Sequence, residues 1–359
     1  MNGAVIVTGA SGQDARLLIP ELVARGCTVH ALTRRGEVVQ SLYGRDGSVV
    51  VREVDLLRRA VEAAAYVADV QPAVVFNLTG VSSVSQSFAQ PALAWQLNAE
   101  WVAMLLEALR TRTPATRLYQ ASSSEMFGCL PGESVVHDEQ SPLRPQSPYA
   151  ASKAAAHLMC GVYRSSFGVR TMCGILFNHE SRYRGEAFLT TKIARHVAAV
   201  RSLAAAERAA HPPLRVGRLD VQRDWGYAPE YIDGILRIAD QIAVRNERSA
   251  EKLDDVAANY RDYVLGTGVL TSVRELIDRA FALAGLPLQW TLDEPGRGFA
   301  VFADTGTVAV ESVPEFYRAA EPKAIQADAS RARRELGWSP TASVDVFLRD
   351  MLHDEGEAH

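Results

Sequence analysis

The sequence predicts an α/β protein with a Rossmann-type, doubly wound parallel sheet and a smaller C-terminal α/β lobe. Apolar, β-rich runs alternate with helical stretches as far as about residue 180, the order that parallel βαβ units require. A glycine-rich turn follows the first of these runs. We therefore assign residues 1–180 to a cofactor-binding domain, and residues 181–359 mainly to a substrate-binding domain with some segments returning to the first.

The glycine-rich turn is typical of dinucleotide binding. The apolar run Ala4–Val7 leads through Gly9 and Gly12 into the helical stretch Leu17–Val23. Gly9 permits a tight turn, and Gly12 lets the backbone approach a pyrophosphate at the helix N-terminus, where free N–H groups favour anions. The turn supplies the candidate cofactor-binding residues Gly9, Ser11, Gly12, Gln13 and Asp14.

The end of the second predicted strand indicates which dinucleotide is bound. Arg34 and Arg35 stand where an acid would hold the ribose 2′-hydroxyl of NAD. Arginines accommodate a 2′-phosphate instead, so the expected cofactor is NADP, although the pair also suits a solvated surface. The ends of the following strands add three further cofactor candidates, Asp55, Leu56 and Leu78.

The candidate catalytic residues are Ser123, Glu125, Tyr149 and Lys153. Tyr149 and Lys153 share one face of a helix, and a nearby ammonium favours phenolate, so Tyr149 can act as a base. Ser123 can hydrogen-bond the same substrate oxygen. Together they suit removal of a proton from an alcohol while a hydride leaves its carbon. Glu125 is an additional acid or base that alcohol oxidation does not need.

Composition excludes several classes of partner. The net charge of −4 gives no reason to expect nucleic acid or a membrane surface. The four cysteines lack metal-ligand spacing, so we expect no metal and a cytoplasmic, reduced protein. No apolar run is long enough to span a bilayer.

The C-terminal half is less regular. We expect one Ala-rich helix over Lys192–Ala210, ended by two prolines, and another over Pro229–Ile242. Asn246–Tyr263 is charged and has few large apolar residues, so we expect an exposed loop and helix. Helices over Val273–Ala284 and Val344–Leu352 follow.

Several stretches resemble the GDP-mannose 4,6-dehydratase family, a branch of the extended short-chain dehydrogenases/reductases. The glycine-rich turn and the segments carrying the four catalytic candidates match over short blocks, and the resemblance continues in order over nearly the full chain. The blocks that point most narrowly to this family are Gly174–Ser181, Arg184–Glu186, Thr190–Ile193, Arg223–Gly226, Phe316–Glu321 and Leu336–Trp338.

The resemblance implies a redox-neutral dehydration of a nucleotide sugar. NADP⁺ takes hydride from C4 while Tyr149 removes the O4 proton, Lys153 lowers the phenol pKa, and Ser123 binds O4. Glu125 then removes the acidified C5 proton and helps expel the C6 hydroxyl as water, and the hydride returns to C6. The family positions that hold the diphosphate and nucleoside correspond here to Asn178, Lys192, Arg223, Arg318 and Glu321, and Ser85 and Ser87 are candidates for contact with the sugar.

The chain departs from the family pattern in ways that bear on the sugar and on assembly. The stretch between Arg35 and Val49 is short and lacks the arginine- and serine-rich pattern that pairs family dimers into tetramers, so a homodimer and a tetramer both stay open. Ser123 replaces a threonine, and Trp101 stands where glycine is usual. These and further changes at Arg182, Tyr183 and Tyr227 leave a GDP-heptose or another nucleotide sugar open as the substrate.

Two other functions stay open. The first keeps the fold and changes the reaction to nucleotide-sugar epimerisation or UDP-glucuronate decarboxylation, neither of which explains the Phe177–Ser181 block. The second is an NADP-binding regulatory or scaffold protein without activity, which the intact catalytic set argues against.

Overall fold

The fold is organised around a seven-stranded, all-parallel sheet with helices on both faces. The computed structural model describes residues 3–44, 47–129, 135–245, 253–317 and 322–357. The sheet's order is β11-β7-β5-β4-β1-β2-β3, the doubly wound arrangement that the sequence predicted. Its strands are β1 (Gly3–Thr8), β2 (Cys27–Thr33), β3 (Val49–Glu53), β4 (Val74–Asn77), β5 (Arg117–Ser123), β7 (Thr171–Leu176) and β11 (Tyr263–Leu265).

Two smaller sheets complete the structure. One has the order β12-β10-β16-β6, with β8 also paired to β10, and the other has the order β13-β14-β15-β9. Their strands are β6 (Val136–His137), β8 (Asn178–Glu180), β9 (Leu214–Val216), β10 (Gln222–Tyr227), β12 (Leu270–Ser272), β13 (Leu288–Glu294), β14 (Arg297–Phe302), β15 (Val308–Ser312) and β16 (Ala324–Ala327).

Helices cover both faces of the large sheet in its N-terminal part. Buried apolar side chains form one core layer on each face, and a separate core fills the C-terminal lobe. The N-terminal helices are α1 (Gln13–Ala24), α2 (Gly36–Tyr43), α3 (Ala60–Val70), α4 (Val84–Ala89), α5 (Pro91–Trp95), α6 (Trp101–Arg112) and α7 (Pro148–Phe167). The later ones are α8 (Leu189–Arg201), α9 (Ala205–Ala210), α10 (Ala228–Arg245), α11 (Leu253–Asn259), α12 (Val273–Leu283), α13 (Ser330–Leu336) and α14 (Val344–Glu357).

Helix α7 shows how local sequence fixes the element that carries two catalytic candidates. The hydroxyl of Ser147 accepts from the backbone N–H of Ala150 at 3.0 Å, and Pro148 occupies the first turn, where its missing N–H costs nothing. Gly168 ends the helix with a left-handed φ of 67°, which favours glycine. The helix is therefore fixed at both ends beside the sheet.

Two expectations for the C-terminal half are wrong. The helix expected over Lys192–Ala210 is divided into α8 and α9, since Glu207 caps the backbone N–H of Ala204 and starts a new helix there. The stretch ending at Tyr263 is not an exposed insertion in its described part. Tyr260 and Tyr263 are buried, and β11 extends the large sheet. Tyr260 and Tyr263 pack this stretch into the core even though the residues around them are charged.

Candidate active site

A cleft of about 250 Å³ opens at the carboxyl ends of the central strands. In open α/β sheets this edge is where ligands bind, because the loops there diverge to either side. Residues from the large sheet, from α7 and from the C-terminal lobe share its lining. All four catalytic candidates line it: Ser123, Glu125, Tyr149 and Lys153.

Ser123 and Tyr149 meet directly at the floor of the cleft. Ser123 ends β5, Tyr149 lies in the first turn of α7, and their side chains are close enough to interact. Both are largely buried, with 7% and 8% of their surface exposed. Burial raises the pKa of Tyr149 to about 12, although the interaction with Ser123 acts in the opposite direction.

Lys153 follows Tyr149 by one helical turn and is bound to the sheet. Its Nζ donates to the backbone carbonyl of Ala121 at 2.9 Å. Burial lowers the pKa of Lys153 to about 8. The expected lowering of the pKa of Tyr149 by Lys153 is not seen in this arrangement, because the ammonium lies on Ala121 and burial dominates the phenol.

Glu125 lies two residues beyond Ser123, on a single 3₁₀ turn, Ser124–Met126. The hydroxyl of Ser123 accepts from the backbone N–H of Glu125 at 3.3 Å, which ties the turn to the end of β5. The carboxylate is partly exposed and lines the same cleft as Tyr149. A base, a hydroxyl and a carboxylate therefore surround one volume.

The glycine-rich turn is shaped for an anion. Gly9 has a φ of 69°, and a Cβ there would meet the backbone of Leu78 and Thr79 at 3.0 Å. Gly12 is exposed at the N-terminus of α1, which has no side-chain cap. The first N–H groups of α1 therefore face outward beside a close-packed turn, which suits the pyrophosphate of a dinucleotide.

Gln13 and Asp14 join this turn to the Phe177–Ser181 block. Gln13 donates to the carbonyl of His179 at 3.0 Å and accepts from the hydroxyl of Ser181 at 3.0 Å. His179 lies 3.0 Å from the carboxylate of Asp14. Burial opposes both charges, but each partner stabilises the other, so the pKa of Asp14 falls to about 2 and that of His179 rises. Two distant sequence blocks thus form one structural unit at the cleft.

Of the remaining cofactor candidates, Arg34 and Arg35 follow β2, Asp55 and Leu56 follow β3, and Ser11 and Leu78 lie nearer the cleft. Arg34 and Arg35 are both exposed, just before α2. The carboxylate of Glu53 accepts from the backbone N–H of Gly36 at 3.1 Å, so an acid contacts the helix end that follows the two arginines. Ser11 is partly buried in the glycine-rich turn, Leu56 is buried beneath the site, Leu78 lines the cleft, and Asp55 accepts from the N–H of Leu57 at 3.0 Å.

The substrate candidates are placed unevenly. Asn178, Arg223 and Ser85 line the cleft. Arg223 is nearly buried and donates to the carbonyls of Gln222 and Pro322, each at 2.8 Å. Lys192 lies outside the lining on the exposed side of α8, 6.0 Å from the ring centre of Phe316.

Of the last three substrate candidates, one is buried away from the cleft and two cannot be placed. Ser87 is completely buried, and its hydroxyl donates to the carbonyl of Val84 at 2.7 Å, so the structure does not bring it to the cleft. Its neighbour Ser83 does line the cleft and bonds Ser85 at 2.9 Å. Arg318 and Glu321 lie outside the described residues.

The sequence alone assigned no role to two residues that the structure places at or beside the site. Arg184 lines the cleft, with its guanidinium 3.7 Å from the ring centre of Phe188 and 3.1 Å from the carboxylate of Glu180. Asn98, on a π-helical turn before α6, bonds both backbone groups of Val81 and the hydroxyl of Ser152. Asn98 therefore holds the loop that contains Val81 beside Lys153. This role depends on contacts between segments far apart in the chain, which local sequence does not reveal.

One cluster in the described residues has metal-ligand side chains, namely His157, Cys173 and Asp262. The Nδ1 of His157 lies 3.1 Å from the hydroxyl of Ser122, and Asp262 is ion-paired with Arg164. A guanidinium at the carboxylate opposes a further cation, so we assign no metal there. Within the described residues no helix combines the length and apolar character needed to cross a bilayer.

Comparison with known proteins identifies the family. The family model described as GDP-mannose 4,6 dehydratase matches residues 6–351. GDP-mannose 4,6-dehydratase of Sinorhizobium fredii is 33% identical over 98% of this chain and 95% of its own length. The enzyme of Vibrio cholerae is 31% identical (99% and 94%), and that of Homo sapiens is 29% identical (98% and 91%).

Solved structures agree with the fold. RMD from Pseudomonas aeruginosa, complexed with NADPH, is 21% identical, with a TM-score of 0.70 over 98% of this chain and 99% of its own. UDP-glucuronic acid 4-epimerase from Bacillus cereus, in complex with UDP-glucuronic acid and NAD, is 19% identical, with a TM-score of 0.75 over 99% and 100%. The full-length family match and the curated relatives show that this chain belongs to the GDP-mannose 4,6-dehydratase family.

Proposed function

We propose that this chain is an NADP-dependent lyase, a nucleotide-sugar 4,6-dehydratase that converts GDP-mannose to its 4-keto-6-deoxy product. The observation that carries the proposal is the position of Glu125 in the same cleft as Ser123, Tyr149 and Lys153. An epimerase needs a base at one hydroxyl only. The carboxylate of Glu125, two residues beyond Ser123, is a second acid or base and supplies the extra proton transfer that elimination of water requires.

The residues divide the work as follows. Tyr149, as a phenolate held by Ser123, removes the O4 proton as C4 is oxidised, and Lys153, after turning from Ala121, stabilises that phenolate before it takes the proton. Glu125 removes the C5 proton, which the 4-keto group has acidified, and passes it to the C6 hydroxyl, which leaves as water. When hydride is added at C6, C5 takes up a proton in exchange for the one that Tyr149 removed from O4. A bound NADP⁺ supplies the hydride acceptor at C4 and the hydride donor at C6, so the cycle consumes no reductant.

The residues around the glycine-rich turn suit that cofactor. Gly9 and Gly12 allow the backbone to approach a pyrophosphate. We assign Ser11, Gln13, Asp14, Asp55, Leu56 and Leu78 to the rest of the cofactor site. Arg34 and Arg35 carry the preference for a 2′-phosphate. The carboxylate of Glu53 accepts from the N–H of Gly36, next to the two arginines. Its negative charge there disfavours a 2′-phosphate and so opposes the preference.

For the substrate, Asn178 and Arg223 in the cleft and Lys192 on α8 supply the groups that hold a diphosphate, and Ser85 faces the sugar. We assign Arg318 and Glu321 to the nucleoside on the family resemblance alone. The same proposal divides the chain into a cofactor-binding domain, residues 1–180, and a mainly substrate-binding domain, residues 181–359, with some segments returning to the first.

We also propose a cytoplasmic homodimer, with a tetramer as the alternative. Helices α4, α5 and α7 pack together and leave large apolar side chains exposed, a pattern typical of protein interfaces. These side chains are Phe88, Trp95, Leu158, Val162 and Phe167. None of the cysteines forms a disulfide, as expected in a reducing compartment.

Mass spectrometry of the purified protein with a panel of GDP-, UDP-, CDP- and dTDP-hexoses tests the proposal. Loss of one water from GDP-mannose is expected. The same loss from another nucleotide sugar only would keep the reaction and discard the substrate, whereas loss of carbon dioxide from UDP-glucuronate would replace dehydration by decarboxylation.

A further inference from the structure

A continuous series of buried hydrogen bonds connects Trp101 with the carbonyl that holds Lys153. The indole Nε1 of Trp101 donates to Oδ1 of Asn77 at 2.9 Å, and Nδ2 of Asn77 donates to Oε1 of Gln120 at 2.7 Å. Nε2 of Gln120 donates to the carbonyl of Ala121 at 3.0 Å, and Lys153 donates to the same oxygen at 2.9 Å. We call the side chains of Trp101, Asn77 and Gln120 the amide relay.

The amide relay is isolated from solvent. Trp101 is 1% exposed, Asn77 is fully buried, and Gln120 is 1% exposed. Its members come from the start of α6, the end of β4 and the middle of β5. A buried amide that loses a partner carries the full cost of its desolvation, so each side chain is held in one orientation by the next.

Trp101 sets the direction of the whole series. An indole N–H can only donate, so the atom of Asn77 that faces it must be the amide oxygen. The hydroxyl of Thr8, 2.6 Å away, bonds the same oxygen, but a hydroxyl can also accept and would tolerate either orientation. Once Asn77 is fixed, Gln120 must turn its oxygen toward Asn77 and its N–H₂ toward Ala121.

We propose that Trp101, acting through Asn77 and Gln120, is a positioning residue for Lys153, one that keeps a second donor on the carbonyl of Ala121. The proposal rests on the proposed function, in which Lys153 must turn from that carbonyl toward the reacting groups. With Gln120 in place the carbonyl keeps a partner when Lys153 departs, so the departure costs less.

Without the indole N–H of Trp101, the orientation of the Asn77 amide would no longer be fixed. Asn77 and Gln120 could then both reverse, and the amide oxygen of Gln120 would face the Ala121 carbonyl and the ammonium. Lys153 would gain an acceptor on the wrong side and be retained there. The other titratable groups around it stay unchanged: Tyr149 on α7, Asp14 on α1, Glu125 after β5 and Cys173 on β7.

The first test titrates Lys153 in the protein without cofactor or substrate. Competitive labelling with an amine reagent, read by peptide mass spectrometry, gives the pH at which Lys153 becomes reactive, with exposed Lys192 as the internal reference. Trp101→Phe should raise that pH by roughly half a unit to one unit, the effect of one added hydrogen bond. Trp290→Phe is the matched control, since it removes an indole bond to Asp278 in the C-terminal lobe and should leave the titration unchanged.

The second test uses turnover and a double-mutant cycle. Trp101→Phe should lower kcat about threefold to tenfold with little change in KM, and should move the acidic limb of the pH–rate profile upward. Gln120→Met removes the link, so adding Trp101→Phe to it should cause no further loss. An unmoved Lys153 titration, or additive losses in the double variant, would overturn the proposal. The titration does not use turnover, so it stands even where the proposed reaction fails.

Discussion

The catalytic wall of the cleft and a set of exposed cations outside its lining, here called the cationic rim, are built in different ways. The catalytic wall consists of Ser123, Glu125, Tyr149 and Lys153, taken from the end of β5 and the start of α7, and most of it is buried and hydrogen-bonded. The cationic rim consists of Arg34, Arg35 and Lys192, all exposed. The wall is therefore arranged before a ligand arrives, whereas the rim contributes charge without fixed geometry. Changes in the wall should act on kcat by large factors, and changes in the rim on affinity by smaller ones.

The largest effect is expected from Tyr149→Phe. Removing the base should slow hydride transfer by about 10²- to 10⁴-fold, because the proposed mechanism assigns removal of the O4 proton to Tyr149. Single-turnover absorbance of the reduced cofactor measures the step, and a fluorescence titration should show cofactor binding unchanged. Tyr163→Phe, at a partly buried tyrosine of the same helix that bonds Glu107, is the control. Rapid hydride transfer in Tyr149→Phe would remove the wall's main residue from the mechanism.

Glu125→Gln should separate the two halves of the reaction. Oxidation at C4 should continue while loss of water slows about 100-fold, so reduced cofactor accumulates on the enzyme. Absorbance of the cofactor and mass spectrometry of the sugar follow the two events separately. A normal rate of 6-deoxy product would exclude Glu125 from the elimination.

Within the cationic rim, Arg34→Ala combined with Arg35→Ala should weaken NADP about tenfold or more and leave NAD nearly unchanged. Glu53→Gln should act in the opposite direction, because it removes a negative charge from the N–H of Gly36. Dissociation constants for both cofactors measure the preference. An unchanged ratio in the arginine variant would defeat the 2′-phosphate assignment.

Lys192→Ala tests the other end of the rim. Loss of one exposed cation should raise KM about threefold to tenfold without lowering kcat, since the lysine neutralises phosphate and touches no reacting atom. Arg195→Ala, on the same helix but paired with Glu186, should leave both constants unchanged. A fall in kcat alone would place Lys192 in the catalytic wall.

The smallest effect concerns the Asp14–His179 pair, which joins the glycine-rich turn to the Phe177–Ser181 block. The pKa of His179 is raised above 6.5, so its contribution is complete below pH 6.5 and is lost as pH rises through the folded value. The pKa of Asp14 is lowered from 3.8 to about 2, so its contribution is present above 3.8 and is lost as pH falls through the folded value. Asp14→Asn should therefore cost about 1 kcal/mol at pH 5.5, within the roughly 4–6.5 window, and less at pH 9.

Urea unfolding at the two pH values measures the effect of Asp14→Asn. Asp69→Asn breaks an exposed ion pair with Arg112 and should show no such pH dependence. An equal cost of Asp14→Asn at both pH values would show that the pair is not charged as described.

Part of this arrangement could be predicted from the sequence alone, and part could not. The fold and the gathering of the catalytic wall were predictable, because the residues follow β-strands whose carboxyl ends meet at one edge and Tyr149 and Lys153 share a helix face. The binding of Lys153 to Ala121 and the roles of Asn98 and Arg184 were not, since they depend on contacts between segments far apart in the chain. Burial of Ser87 and of Tyr260 likewise depends on tertiary packing that local polarity does not reveal.

The most direct measurement follows the hydride itself. GDP-mannose labelled with deuterium at C4 is converted by the enzyme in ordinary water, and the product is examined by NMR and mass spectrometry. We expect the sugar nucleotide to lose one water and to carry the deuterium on C6. Deuterium that stays at C4 in a product of unchanged composition would indicate an epimerase and contradict the account.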